Sequence, residues 1–131
     1  MIVVDTNIVI YFLTESEFTD TTVDVRRRDQ DWVAPYLWRS EIRNVLMGYL
    51  RQGSLDLSKA VELLELAERK VESRHVDGAH VIELALASGC TAYDCEFVSL
   101  AMGLQVPLVT SDKKLLAAFP DFAVSMKTFV A

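Results

Sequence analysis

In Ile2-Val3-Val4-Asp5-Thr6-Asn7, a β-branched apolar run is followed at once by polar residues. A short, unbroken apolar run is typical of a strand buried on both faces. Residues 106–112, with the sequence Val-Pro-Leu-Val-Thr-Ser-Asp, repeat this arrangement. In an open parallel sheet, ligands bind beyond the carboxyl ends of the strands. The polar residues that follow both runs are therefore candidate site residues.

Helices separate the predicted strands. A helix that begins near Trp38 carries apolar side chains at i, i+3, i+4 and i+7 spacing, and Gly53 ends it. Further helices are predicted over residues 58–70, 77–88, 91–102 (closed by Gly103) and 16–29. Two more strands are predicted over residues 32–34 and, at a sheet edge, 122–130. Strands separated by helices need crossover connections, which predicts an α/β fold with a mostly parallel sheet covered on both faces.

The composition indicates one globular domain over residues 1–131. The chain is 51% hydrophobic with a net charge of −6, which favours a packed core over disorder. No apolar segment approaches the roughly 20 residues that span a bilayer, so we expect a cytoplasmic protein without membrane contact. Cys90 and Cys95 fit neither a redox nor a zinc spacing and are predicted to be buried free thiols. The acidic balance disfavours a broad nonspecific grip on nucleic acid, but it allows a nuclease whose carboxylates hold metal ions.

Three acidic residues stand at the ends of strands or at the start of a helix. Asp5 and Asp112 follow the two strands directly, where an Asp can also serve only as a helix N-cap or turn residue. Glu41 lies about 40° from Val45 on the helical wheel, at the edge of the buried face. The alternative for Glu41 is a first-turn Glu that is favoured by the helix dipole.

Asp94 falls in the middle of an apolar helix face, flanked on the wheel by Phe97 and Val98. A carboxylate there costs several kcal/mol unless it is paired, capped or bound to a metal. The alternative is a capping box, in which Asp94 accepts a hydrogen bond from the backbone of Thr91. If the four acidic residues converge, a hard cation such as Mg²⁺ or Mn²⁺ would offset their repulsion. One or two such ions can activate water and stabilise phosphodiester displacement.

Four motifs together resemble those of a PIN-domain ribonuclease of the VapC toxin type. They cover nearly the whole chain in order: residues 2–7 as quoted above, 40–46 (Ser-Glu-Ile-Arg-Asn-Val-Leu), 91–94 (Thr-Ala-Tyr-Asp) and 108–112 (Leu-Val-Thr-Ser-Asp). The resemblance implies a three-layer α/β/α domain with a Mg²⁺- or Mn²⁺-dependent endoribonuclease site. It assigns metal ligation and water activation to Asp5, Glu41, Asp94 and Asp112. Residues that match positions orienting these carboxylates are Thr6, Asn7 and Thr110.

The resemblance also implies a homodimer, an RNA substrate and a small antitoxin protein that occupies the site. Neither partner protein is visible in the composition or the spacing. The chain departs from the family pattern at three positions. Cys95 and Phe97 replace the more usual Ala and Tyr, and Lys114 stands where many members have a further Asp. The missing fifth carboxylate leaves open whether one or two metal ions act.

Two other function classes compete with the nuclease. One is a PIN-like module that binds RNA or protein without cleavage, which the four filled acidic positions disfavour. The other is an aspartyl-phosphate phosphatase of the haloacid dehalogenase kind, which requires an Asp where Asn7 stands. The nuclease hypothesis predicts that an Asp5→Asn or Asp94→Asn protein loses cleavage.

Several further side chains have weaker claims to a role in the site. The run Arg26-Arg27-Arg28 is predicted to be the solvated end of a helix, with RNA phosphates as the alternative. Tyr36, Trp32 and Trp38 are predicted to pack in the core or an interface, with base stacking as the alternative. Glu96, on the polar side of its wheel, is predicted to face solvent, with a water-bridged metal ligand two residues after Asp94 as the alternative.

Overall fold

The computed structural model describes all 131 residues, and its centre is a five-stranded sheet. The strand order is β3-β2-β1-β4-β5, and every neighbouring pair is parallel, which confirms the predicted α/β class. The strands are β1 (Ile2–Val4), β2 (Trp32–Pro35), β3 (Val71–Arg74), β4 (Leu108–Val109) and β5 (Ala123–Val124). Because all strands are parallel, all five carboxyl ends lie at one edge of the sheet.

Eight helices connect and cover the strands. They are α1 (Thr6–Leu13), α2 (Thr19–Arg28), α3 (Leu37–Gln52), α4 (Leu57–Lys70), α5 (Gly78–Ser88), α6 (Ala92–Leu104), α7 (Lys113–Ala118) and α8 (Met126–Val130). Helix α6 packs against β1, β2 and β4, and α5 packs on α6. Helix α1 contacts α2, α3 and α4. This arrangement is the three-layer α/β/α fold that the motifs imply. None of these helices combines the length and the apolar character that a membrane span requires.

One hydrophobic core holds the layers together. The side chains of β1 are at most 1% exposed, and Trp32, Trp38 and Phe97 are the largest fully buried residues. The two tryptophans also donate ring N–H hydrogen bonds, to the Asp29 carbonyl at 2.8 Å and to Ser73 Oγ at 2.8 Å. Their predicted packing role is therefore confirmed. Cys90 and Cys95 are buried free thiols, as predicted.

The predicted element boundaries hold for most of the chain and are wrong at two places. Residues 122–130 are not one edge strand, because Ser125 ends β5 and caps α8 by accepting a hydrogen bond from Thr128 N at 3.1 Å. Helix α6 passes through Gly103 and ends at Leu104, and its C-cap residue Gln105 takes the left-handed conformation with φ +56°. Strand β3 and the short helices α1 and α7 were not predicted.

Candidate metal centre

Asp5 stands at the junction of β1 and α1, at the carboxyl edge of the sheet. It is the N-cap residue of α1, but its side chain makes no capping hydrogen bond. Instead, the Thr110 hydroxyl donates to Asp5 Oδ2 at 2.7 Å, and the Asp112 N–H donates to Thr110 Oγ1 at 3.0 Å. Thr110 follows β4, which pairs directly with β1. The pairing of the two central strands therefore fixes the Asp5 side chain through a buried threonine.

Glu41 reaches the same edge from helix α3. The Thr6 hydroxyl donates to Glu41 Oε1 at 2.7 Å, and Thr6 itself is buried in the first turn of α1. Glu41 is thus held by the residue that follows Asp5, although 35 positions separate it from Thr6 in the chain. The alternative role of Glu41, a solvated first-turn carboxylate, does not explain this long-range hydrogen bond.

Asp94 lies in the first turn of α6. The Thr91 hydroxyl accepts a hydrogen bond from the Asp94 N–H at 3.0 Å, which is half of a capping box. The reciprocal bond from the Thr91 N–H to the Asp94 carboxylate is not formed, so the capping alternative does not account for the charge. Its place on the helical wheel predicted that the Asp94 side chain lies within the apolar face of the helix. In the structure this side chain is only half-buried. It lines an open pocket of about 420 Å³ together with Leu37, Glu41, Thr91 and Tyr93.

The negative charges of these carboxylates raise the pKa values of their neighbours. The pKa of Asp5 is raised from 3.8 to about 6, first by burial and then by the negative charges of Glu41 and Asp94, while the hydrogen bond from Thr110 opposes the shift. Burial also raises the pKa of Glu41, and the charges of Asp94 and Glu96 add to this shift. None of the ion pairs in the structure includes any of these carboxylates. The chain thus concentrates negative charge here without supplying a cation.

The chemistry of this donor set fits a hard divalent cation. Asp5, Glu41 and Asp94 offer only carboxylate oxygens, which Mg²⁺ and Mn²⁺ prefer over nitrogen and sulfur ligands. As the side chains are placed, no three His, Cys, Asp or Glu residues lie close enough together to hold a metal ion. Side-chain rotation would therefore have to accompany metal binding at this cluster.

Asp112 lies further along the same edge and caps α7. Its Oδ1 accepts hydrogen bonds from the N–H groups of Lys114 at 2.8 Å and Leu115 at 3.2 Å. Both capping bonds use Oδ1, so Oδ2 takes no part in the cap. Lys114 directs its Nζ to the Gly89 carbonyl at 3.5 Å, in the loop that leads into α6. The structure connects Asp112 to Asp5 only through Thr110, so Asp112 stands apart from the other three carboxylates.

The chain matches the family model of the PIN domain over residues 2–120. It belongs to the PIN domain family. Ribonuclease VapC1 of Mycobacterium tuberculosis is 30% identical over 87 residues, a match that spans 65% of each chain. This PIN domain therefore spans slightly less than two thirds of that relative.

Solved structures with the same fold have lower sequence identity. PAE2754 from Pyrobaculum aerophilum superposes with a TM-score of 0.77 at 22% identity, covering 98% of this chain and 92% of that one. A toxin-antitoxin complex from Klebsiella pneumoniae gives 0.74 at 14% identity, covering 96% and 98%. VapBC2 from Rickettsia felis, bound to a promoter DNA fragment, gives 0.70 at 15% identity, covering 95% and 98%. At these identities the likeness establishes the PIN fold alone.

Glu96 belongs to the electrostatic environment of this PIN-domain site, and the prediction that it faces solvent is wrong. The side chain is half-buried, burial raises its pKa, and its charge raises the pKa of Glu41. The helical wheel failed here because α6 is buried on most of its circumference. The Ser99 hydroxyl, which lies on the same side of the helical wheel as Glu96, is in a residue only 4% exposed and lies 2.8 Å from His80 Nδ1. The sequence did carry a sign of this burial. Residues 97–101 (Phe-Val-Ser-Leu-Ala) are apolar except for one serine, which leaves α6 no wholly polar face.

The remaining candidate residues lie away from the carboxylates or make no contact with them. Asn7 is exposed, and its side chain makes no hydrogen bond within the PIN domain. Tyr36 is 48% exposed and stacks on His75 with ring centroids 4.6 Å apart.

The basic run at the end of α2 is occupied by local contacts. Arg26 lies 5.0 Å from the Trp32 ring and donates to the Lys70 carbonyl at 3.2 Å. Arg27 pairs with Asp24 at 3.4 Å, and Arg28 lies 5.6 Å from the Phe129 ring. Their predicted place at a helix end is confirmed, and each makes a structural contact there.

Proposed function

We propose that this PIN domain is a metal-dependent endoribonuclease that hydrolyses RNA phosphodiester bonds. The observation that carries the proposal is the cluster of Asp5, Glu41 and Asp94 at the carboxyl edge of the sheet, with raised Asp5 and Glu41 pKa values and no ion-pair partner. A carboxylate whose pKa is shifted by burial and by a neighbouring charge is a physical sign of a functional site when it lines a pocket, as Glu41 does beside Asp94. The likeness to ribonuclease VapC1 supports the same reaction class.

Asp5, Glu41 and Asp94 would hold Mg²⁺ or Mn²⁺, as one or two ions, and Asp112 would join them through its Oδ2. The bound cation would supply Lewis-acid activation of water and of the phosphodiester. Thr110 and Thr6 each fix one oxygen of a carboxylate, Asp5 Oδ2 and Glu41 Oε1. This leaves the second oxygen of each carboxylate to ligate a cation, in the way that outer hydrogen bonds orient metal ligands. Asn7 would contribute to orientation only after a rotation toward the site.

We further propose that the protein is the toxin of a type II toxin-antitoxin pair in the cytoplasm, and that it forms a homodimer. The support is the resemblance of its four motifs to VapC toxins and the match to ribonuclease VapC1. Two chains with the same fold were solved as toxin-antitoxin or VapBC assemblies. A small antitoxin would then restrain the nuclease by covering the carboxylate pocket.

Cleavage of a mixed pool of structured RNA tests the proposed reaction. The parent protein should cleave with Mg²⁺ or Mn²⁺ and not with EDTA. Asp94→Asn, prepared in parallel, should be slower by roughly 100-fold or more, since it removes a carboxylate that contacts the reacting centre. Asp121→Asn is the matched control, because Asp121 is exposed and lies outside the site. Equal cleavage by parent and Asp94→Asn would refute the assignment. No cleavage by either would favour a PIN-like binding module.

A further inference from the structure

A second cleft opens at the same edge of the sheet, beyond β4 and β5, with a volume of about 650 Å³. The acidic pocket lies on the other side of Asp5, beside the residues that follow β2. Thr110 belongs to the floor of the second cleft and donates to Asp5 Oδ2 at 2.7 Å. One buried hydroxyl therefore separates this cleft from the most perturbed carboxylate of the site.

The charge of this cleft is opposite to that of the acidic pocket. Lys113 and Lys127 line it from the starts of α7 and α8, and both are exposed. Neither ammonium group takes part in an ion pair or a hydrogen bond within the chain. Glu17 is the one acidic residue among the lining side chains. Two free cations against one carboxylate give a local positive excess in a chain whose net charge is −6.

The polar lining of the cleft suits a phosphodiester backbone. The hydroxyls of Ser111 and Thr21 line it beside the lysines, and neither is used in a hydrogen bond within the chain. Phosphate oxygens take hydrogen bonds from Lys and from Ser and Thr hydroxyls, without reading the base sequence. An RNA chain whose scissile phosphate lies at the carboxylates must continue past them on one or both sides. The cleft beyond Thr110 offers such a continuation two exposed lysines, Lys113 and Lys127.

We propose that the cleft beyond β4 and β5 binds RNA phosphates that flank the scissile bond, with Lys113 and Lys127 as the phosphate-binding residues. This inference rests on the proposed nuclease function and adds the path of the substrate. The acidic pocket would repel a polyanion in the absence of metal, so most of the RNA affinity must come from outside it. The lysine cleft supplies that affinity next to the reacting centre.

The test measures binding of a single-stranded RNA oligonucleotide by the Asp94→Asn protein, which leaves the RNA intact. Each phosphate contact on a single strand contributes about 0.7 to the slope of log K against log salt concentration. Adding Lys113→Ala and Lys127→Ala should therefore make this negative slope shallower by about 1.4. The same slope corresponds to about 5-fold in affinity per lysine at about 0.1 M salt, or about 25-fold for both.

A double variant with the same loss of charge controls for long-range electrostatics. Lys59→Ala with Arg69→Ala removes two exposed cations from α4, away from the cleft. Because salt screens distant charges, this control should change the affinity by less than about 2-fold. All four positions are exposed, so thermal unfolding should show that both double variants remain folded. An unchanged affinity and slope in the cleft variant, or equal losses in both double variants, would overturn the proposal.

Steady-state cleavage separates this inference from the proposed function. In the parent background, Lys113→Ala with Lys127→Ala should raise KM by about 25-fold and leave kcat within about 2-fold, because the lysines bind flanking phosphates only. If the parent cleaves RNA and the cleft variant keeps the parental KM, the nuclease assignment stands and the cleft proposal fails. If neither protein cleaves but the Asp94→Asn pair shows the predicted binding difference, the catalytic assignment fails and the RNA-binding cleft stands.

Binding of a polyglutamate peptide in place of RNA would also overturn the proposal, in favour of an acidic protein partner.

Discussion

Replacing Asp5 with Asn should stabilise the metal-free protein while it removes the nuclease activity. Burial, and then the charges of Glu41 and Asp94, raise the pKa of Asp5 from 3.8 to about 6. Between these two pH values the folded protein binds more protons than the unfolded chain, so its stability falls as the pH rises. Above about pH 6 the ionised carboxylate imposes its full cost. An Asn side chain carries no charge, and its amide oxygen can still accept the Thr110 hydrogen bond.

The size of the effect follows from the pKa shift. The difference between 3.8 and about 6 is about 2.2 pH units, and at 1.36 kcal/mol per unit it corresponds to about 3 kcal/mol. Part of this gain will be lost, because the new amide NH₂ group must also find a partner. We therefore expect Asp5→Asn to raise the free energy of unfolding by about 1–3 kcal/mol at neutral pH. For a domain of this size the melting temperature should rise by roughly 4–12 °C.

Urea unfolding followed by circular dichroism at about pH 4 and pH 7.5, with EDTA present, measures this difference. The gain should be present at the higher pH and small at the lower one, where the parent carboxyl is already protonated in the folded state. Asp121→Asn, at an exposed position, should show neither effect. An Asp5→Asn protein that is equally or less stable than the parent at pH 7.5 would show that the ionised Asp5 carboxylate does not destabilise the fold.

Three further substitutions test the contacts around the site. Thr110→Val removes the hydroxyl that donates to Asp5 Oδ2; the Asp5 pKa measured by carbon NMR should rise above its parental value, Thr110→Ser should restore it, and an unchanged pKa would contradict the role of this bond. Thr91→Ala removes the N-cap of α6 and should lower the free energy of unfolding in urea by about 1 kcal/mol; an unaltered urea midpoint would show that the cap is dispensable. Phe97→Ala empties a fully buried position and should cost about 3–5 kcal/mol by the same measurement, whereas a loss below about 1 kcal/mol would mean that the core refills the cavity.

The sequence predicted the fully apolar strands β1, β2 and β4. It missed β3, which contains polar and charged residues. Strands β1, β2 and β4 are buried, so their apolar runs are visible in the sequence without any tertiary information. Strand β3 contains Glu72, Ser73 and Arg74, and it lies at the edge of the sheet with β2 as its one partner. Only its pairing with β2 distinguishes it from the end of the preceding helix. A pattern of single residues cannot reveal such a pairing.

The acidic positions of the site were predictable, and their hydrogen-bond partners were partly so. Motif positions indicated Asp5, Glu41 and Asp94, and the structure places them within electrostatic reach of one another. The helical wheel misplaced Glu96, because a wheel assumes that one side of a helix meets solvent, whereas α6 is covered by the sheet and by α5. The cleft beyond β4 and β5 could not be predicted, because the pairing of these two strands brings Lys113 and Lys127 together.

Mn²⁺ binding measured by electron paramagnetic resonance tests the claim that Asp5, Glu41 and Asp94 bind a divalent cation. The measurement compares the parent with Asp94→Asn and the Asp121→Asn control near pH 7.5, where Asp5 is ionised. We expect the parent and the control to bind Mn²⁺, one or two ions per chain, and Asp94→Asn to lose at least about 10-fold in affinity. Equal binding by the parent and Asp94→Asn, or no binding by the parent at millimolar Mn²⁺, would contradict the claim.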